Sequence, residues 1–190
     1  MKNQDLILLK KIPTQFPVSE IFKKRFSPRF FSDEEIPDID IQTIMEAARL
    51  SPSSYNLQPW YFYIAKKNHP GFEKLSSLLS GFNDWAKKAP LLILGAYEKS
   101  SSYGVNTYAQ YDLGQAVISL VYQAQILGYF SHQLAGFDKE KAKKIVGENQ
   151  VPWVMIALGK IGNYELAPKE IVEKDNHPRE RKKRIFQFIS

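Results

Sequence analysis

The longest stretch of helical period in the chain runs over residues 107–128. Leu113, Ala116, Val117, Leu120, Ala124 and Leu127 fall on one stripe, and Ile118 and Val121 widen it. Asp112, Gln115, Ser119 and Gln123 leave only a narrow polar strip. A helix apolar over so much of its girth is buried on several sides. In a chain of 190 residues that points to a subunit interface, with Leu120, Ala124 and Leu127 on the face that lacks an evident partner. Gly128 supplies the stop. Ile41, Ile44, Met45 and Ala48 predict a second amphipathic helix over residues 40–50, capped by Asp38 or Asp40 and ended by Pro52. Shorter helices are expected near 70–80, over the charged stretch 138–146, and from Ile21 to Arg25.

Three stretches read as strands. Trp60 to Ala65 is aromatic and β-branched, and Pro90 to Ala96 and Trp153 to Gly159 are continuous apolar runs of buried-strand type. Ile185 to Ile189 alternates like an edge strand. Residues 1–31 are mixed, with Pro13, Pro17 and Pro28 interrupting any long helix, and 32–37, 98–106 and 131–136 read as turns or loops. Nothing repeats and no linker divides the chain, so one domain spanning 1–190 is expected. Helices and strands mix without strict alternation, which gives an α+β class with a mostly antiparallel sheet flanked by helices.

Composition narrows the chemistry. Hydrophobic residues at 44% and charged residues at 24% are the balance of a soluble globular protein, and aromatics at 13% offer many flat surfaces. Without a cysteine there is no disulfide, thiolate nucleophile, iron–sulfur cluster or cysteine zinc site. The apolar run Leu6 to Leu9 is cut short by lysines, and no stretch approaches a membrane span, so the expected location is the cytoplasm. His69, His132 and His177 match no metal spacing. Gly159-x-x-Gly162 lacks the rest of a dinucleotide fingerprint. The net charge of +6 is concentrated at the two ends. Residues 1–31 hold seven Lys/Arg against Asp5 and Glu20, and residues 179–190 hold five against Glu180. Three readings fit: solvated tails, a nucleic-acid surface, or two ends that converge on one small anion.

Two motifs choose among these. Arg25-Phe26-Ser27-Pro28-Arg29 sets two guanidinium groups about a hydroxyl on one extended face, the donor set that a phosphate takes. Ser51 to Trp60 packs small hydroxyls and the amides Asn56 and Gln58 between a helix and an aromatic strand. Amides offer donor and acceptor together, which matches the alternating edge of a flavin pyrimidine ring.

These strings resemble the nitroreductase family of flavin mononucleotide (FMN) enzymes, over nearly the whole chain. The elements shared are Arg25-x-Ser27-x-Arg29, the run from Glu46 to Trp60 with its Pro-Ser-x-x-Asn-x-Gln-Pro-Trp, and Ala89-Pro90 before a buried strand. Asp112-Leu113-Gly114-x-Ala116, the Leu127-Gly128 exit, His132 to Asp138 and Leu158-Gly159 complete the set. The resemblance implies a homodimer with FMN at the interface and NADH or NADPH as co-substrate. It also implies ping-pong transfer of hydride through the flavin to a nitroaromatic, quinone or similar small acceptor, with no side chain as acid or base. Arg25, Ser27 and Arg29 are then the phosphate and ribityl ligands, with Phe26 counted beside them. Ser53, Ser54, Asn56 and Gln58 line the ring or its tail. Ala135 and Gly136 present backbone near the flavin N5, and Arg181, Lys182 and Lys183 return to the phosphate. Convergence of both basic ends on one ligand is thereby favoured, with neither nucleic acid nor membrane as partner. Two alternatives remain open: a flavin enzyme of different chemistry on the same fold, such as a dehalogenase, a flavin-fragmenting enzyme or an azoline-type dehydrogenase, and a non-enzymatic FMN-binding or sensor protein.

Overall fold

In the computed structural model, which describes residues 1–182 and 185–189, a four-stranded antiparallel sheet carries helices on both faces. The N-terminal part contains α1 (Asn3–Lys10), α2 (Glu20–Lys24), α3 (Asp38–Arg49) and β1 (Trp60–Lys66). Then come α4 (Phe72–Ser76), a 3-10 segment over Gly81–Lys88, β2 (Leu91–Glu98) and a small hairpin of β3 (Ser100–Ser101) and β4 (Gly104–Val105). The remainder is α5 (Ala109–Ile126), β5 (Phe130–Leu134), α6 (Lys139–Lys143), β6 (Gln150–Gly159) and α7 (Lys169–Asp175). The sheet order is β1-β2-β6-β5, every pair antiparallel.

The continuous apolar runs have a simple cause. β2 and β6 are the central strands, covered on both faces, so neither can alternate with polar residues. Leu91, Ile93, Tyr97, Ile156 and Leu158 point to one side and meet α3 and α5. Leu92, Leu94, Met155 and Ala157 point to the other, where α4, the 81–88 segment and α6 close the layer. A third cluster forms around Leu6, Phe26 and Tyr164, where α1 and α7 pack over the chain just before β1's layer.

The end of α5 follows from Gly128. At φ 85° it turns the chain left-handed, so its N–H reaches the Gln125 carbonyl at 3.0 Å and the Tyr129 N–H reaches that of Ala124 at 2.8 Å. Two otherwise orphaned helix carbonyls are satisfied this way. The burial of α5 differs from the expectation. Leu120 and Ala124 are fully buried inside the chain, against Ile41, Ile44 and Ala48 of α3 and the sheet. The face left open carries Tyr111, Gly114 and Ile126, with Ile118 and Tyr122 half-buried beside them. The apolar girth is real, but the side left uncovered is the tyrosine side of the helix.

Other expectations are corrected. Residues 131–136 are not a turn: Phe130–Leu134 is an edge strand paired to β6, and its polar, mixed composition hides it. Among the described residues, Ile185 to Ile189 form no strand. α1 was not anticipated; an isolated eight-residue helix is marginal, and Leu6 at the centre of the third cluster holds it. The 98–106 loop contains the β3–β4 hairpin. Neither Asp38 nor Asp40 caps α3; Pro37 occupies that place, and both carboxylates sit in the first turn, where they favour the helix dipole. No helix among the described residues is long and apolar enough to cross a membrane.

Candidate phosphate cleft and flavin-edge loop

After α2 the backbone becomes extended, and the side chains from 25 to 29 alternate. Phe26 and Pro28 turn inward and are buried, while Arg25, Ser27 and Arg29 line a cleft of about 230 Å³. Phe26 is 3% exposed and packs on Phe130, ring centroids 5.0 Å apart, so it anchors the motif and offers the cleft little beyond backbone. Lys10, Arg179, Arg181 and Asp175 complete the lining. The basic N-terminal and C-terminal segments therefore meet in one place, five cations against one carboxylate.

The cations are not equivalent. The Arg29 guanidinium pairs with Asp175, which is 1% exposed and also accepts from the Arg29 N–H at 2.9 Å and the Tyr164 hydroxyl at 2.5 Å. Burial, with help from that bond to Asp175, pushes the Tyr164 hydroxyl far up, so it stays a donor. Arg25 makes only a long 3.4 Å bond to the Ser27 hydroxyl, and among the described residues no carboxylate pairs with it. Burial, then the nearby Arg181, lowers its pKa. Arg179 donates to the carbonyls of Lys10 (3.2 Å) and Lys23 (3.1 Å), and Lys10 donates to the carbonyl of His177 at 2.6 Å. Burial, then Arg25 and Arg181, lowers Arg179 to about 10. Partly desolvated like charges of this kind are relieved by an anion, and a phosphate oxygen set can bond several of them at once.

His132 on β5 supports the motif from behind. Its Nδ1 lies 3.0 Å from the Pro28 carbonyl, and its ring packs on Trp85 at 4.6 Å. Burial above all holds its pKa down to about 4, so at neutral pH it is uncharged and Nδ1–H donates to Pro28.

The second motif forms a strained loop. Tyr55, Asn56 and Gln58 take φ of 50°, 56° and 48°, left-handed values that non-glycine residues seldom adopt. The turn is held by the Ser53 hydroxyl, which accepts from the Gln58 N–H at 2.9 Å, and by the buried Asp112 carboxylate, which accepts from the Ser54 N–H at 3.2 Å. Gln58 donates its amide to the Asn56 carbonyl at 3.2 Å, while Asn56 keeps an exposed side chain. None of Ser53, Ser54, Asn56 and Gln58 lines the basic cleft.

Ala135 and Gly136 follow β5 and are exposed. A methyl group built on Gly136 would come within 2.9 Å of the Asn83 amide, which donates to the Gly136 carbonyl at 2.7 Å. A larger residue there would displace that amide, the far end of a flexible side chain. Asn83, like Lys10, Arg179, Asp175 and Tyr164, was not singled out in the sequence, since each joins the site through a contact distant along the chain. Arg179 shared the basic run of Arg181 and Lys182, which was the available signal. Lys182 is exposed and does not line the cleft, and Lys183 lies outside the described residues. Among the described residues no group of acidic and histidine side chains is placed to hold a metal ion.

The donor set suits FMN: guanidinium groups and a hydroxyl at a phosphate-sized cleft, amides on a loop, and a glycine cradle beside an asparagine. Known proteins agree. Residues 22–81 match the sequence model of the Nitroreductase family. An uncharacterized 15.4 kDa protein of Mycolicibacterium smegmatis is 35% identical over 111 residues, 58% of this chain and 76% of that protein. A protein of Archaeoglobus fulgidus provisionally named NADH dehydrogenase/NAD(P)H nitroreductase is 28% identical over 158 residues, 80% of this chain and 87% of that protein. The crystal structure of an oxidoreductase containing FMN superposes with a TM-score of 0.83 at 29% identity and covers 89% of each chain. Motif, fold and likeness coincide, and the chain belongs to the nitroreductase family of oxidoreductases.

Proposed function

We propose that the protein is a homodimeric FMN oxidoreductase that takes reducing equivalents from NADH or NADPH and passes them to a nitroaromatic, a quinone or a similar small acceptor. The observation that carries this reading is the convergence of Arg25, Ser27, Arg29, Arg179 and Arg181 on one cleft. FMN, when bound, supplies hydride chemistry, and the protein supplies binding and orientation. Arg25, Arg179 and Arg181 neutralise the phosphate; Arg29, fixed by Asp175, orients it. Ser53, Ser54, Asn56 and Gln58 present hydroxyls and amides to the ring edge, and Ala135 and Gly136 keep side-chain bulk away from the reacting face. Lys182, exposed and outside the cleft lining, contributes charge to the approach.

The cleft and the amide loop share no lining residue, which supports a site completed by a second copy. Tyr111, Ile118, Tyr122 and Ile126 on the open face of α5, with Phe22 packed edge-on against Tyr122 at 4.9 Å, are the apolar surface such a copy would cover. The test is an absorption spectrum of the purified protein, followed by anaerobic titration with NADH and NADPH. We expect a yellow protein bleached by at least one of them, and steady turnover with a quinone. A colourless preparation that takes up no added FMN sinks the reading, and bound FMN that neither nucleotide reduces leaves the non-enzymatic alternative.

A further inference from the structure

Asp112, Gln115 and Ser119, three side chains of the narrow polar strip on α5, touch neither the phosphate cleft nor the open apolar face. Their helical spacing puts them along one edge of the helix. Asp112 is 1% exposed, and Leu113, Ala116 and Leu120 beside it are fully buried. Polar groups in such surroundings are costly unless their partners repay the desolvation.

Those partners lie at the start of the flavin-edge loop. The buried Ser51 hydroxyl donates to that of Ser119 at 2.7 Å, which in turn donates to the Gln115 carbonyl at 3.0 Å. One Asp112 oxygen accepts from the Ser54 N–H at 3.2 Å, and the other faces the Gln115 amide at a long 3.5 Å. The first turn of α5 favours a negative charge at this position. Among the described residues no lysine or arginine pairs with it.

The loop has little else to hold it. No residue from 52 to 58 is buried, so apolar packing does not fix its shape. The Asn56 and Leu57 N–H groups bond the carbonyls of Ser53 (3.1 Å) and Ser54 (3.0 Å), and the Gln58 N–H bonds the Ser53 hydroxyl. Every one of these bonds starts from Ser53 or Ser54, and Asp112 fixes Ser54 from outside the turn. Left-handed Tyr55, Asn56 and Gln58 persist only where the surroundings over-determine them.

We propose that Asp112 is a positioning residue. With Gln115 and Ser119 it holds the loop in its strained form before a ligand arrives, so that the ring edge meets amides already in place. The inference rests on the flavin reading for the identity of that ligand. A loop that samples other shapes binds more weakly, in proportion to the time it spends in the competent one.

The experiment uses Asp112→Asn in the full chain, which keeps the side-chain shape but offers one oxygen to two donors. Amide exchange by NMR on the apoprotein should show protection of Asn56, Leu57 and Gln58 falling about tenfold, with β2 and β6 unchanged, and FMN should bind about tenfold less well by fluorescence titration. Riboflavin, which lacks the phosphate, should weaken by the same factor, and binding of inorganic phosphate should not change. Ser119→Ala removes no charge from the interior and should give the same pattern at smaller size; it carries the test if Asp112→Asn weakens the whole chain. Unchanged loop protection in both variants overturns the proposal, as does a freed loop that binds flavin as before. Loss of phosphate binding in step with flavin also overturns it, since Asp112 would then support the fold at large. If the wild-type chain takes up neither FMN nor riboflavin and Asp112→Asn still frees the loop, the flavin reading fails and the positioning role stands.

Discussion

Arg25 and Arg29 look alike in the sequence and behave differently in the fold. Arg25 has no carboxylate partner among the described residues, whereas Arg29 is bound to the buried Asp175. Arg25→Ala should therefore weaken FMN binding by about ten- to a hundredfold, the loss of one charge-assisted phosphate contact, with the melting temperature of the apoprotein little changed; flavin fluorescence titration reads it. Arg29→Ala leaves Asp175 unpaired in the interior, so it should cost about 3–5 kcal/mol of stability as well, measurable by urea unfolding. An apoprotein of wild-type stability after that change would show that the ion pair holds nothing together. His132 gives a pH signature. Its folded pKa of about 4 lies below the ordinary histidine value. As pH falls from about 6.5 to about 4, the unfolded chain takes up a proton that the folded chain refuses, and stability drops by up to roughly 3 kcal/mol. His132→Asn can keep a donor to Pro28 and should flatten that part of the stability–pH curve.

At the scale of elements, α5 separates two kinds of apolar surface that its sequence merges. Leu120 is packed under α3, so Leu120→Ala should cost about 2–5 kcal/mol within each chain whatever the oligomeric state. Ile126 is 68% exposed, so Ile126→Glu should leave the fold of one chain within about 0.5 kcal/mol and abolish the dimer and, with it, tight FMN binding. Light scattering at micromolar concentration distinguishes them; a dimer that survives Ile126→Glu places the interface elsewhere. The central strands were legible because burial on both faces forces an uninterrupted apolar run. β5 was not: an edge strand with one buried face and a glycine-bearing exit has the composition of a turn. α1 was not either, because its stability comes from Leu6 meeting Phe26 and Tyr164, residues far from it in sequence.

For the whole molecule, the proposed function links folding to cofactor binding. As a ligand of the native state, FMN at a hundred times its dissociation constant should add about 2.7 kcal/mol and raise the melting temperature by roughly 5–10 °C for a chain of this size. Inorganic phosphate should give a smaller rise through the same cleft, and Arg25→Ala should shrink both rises.

The sequence alone determined the α+β class, the buried strands, the long helix with its glycine stop, and the two strings, Arg25 to Arg29 and Ser51 to Trp60, that point to a phosphate and a flavin edge. These are local: periodicity, donor type and spacing are set within a few residues of one another. Tertiary structure decided the rest. It brought Lys10, Arg179 and Arg181 to Arg25, committed Arg29 to Asp175, placed Asn83 against Gly136, and turned Leu120 into the core and Tyr111, Ile118, Tyr122 and Ile126 outward. Which side of a helix is covered, and which of several arginines is already paired, depends on what folds against it, and no stretch of chain carries that information by itself.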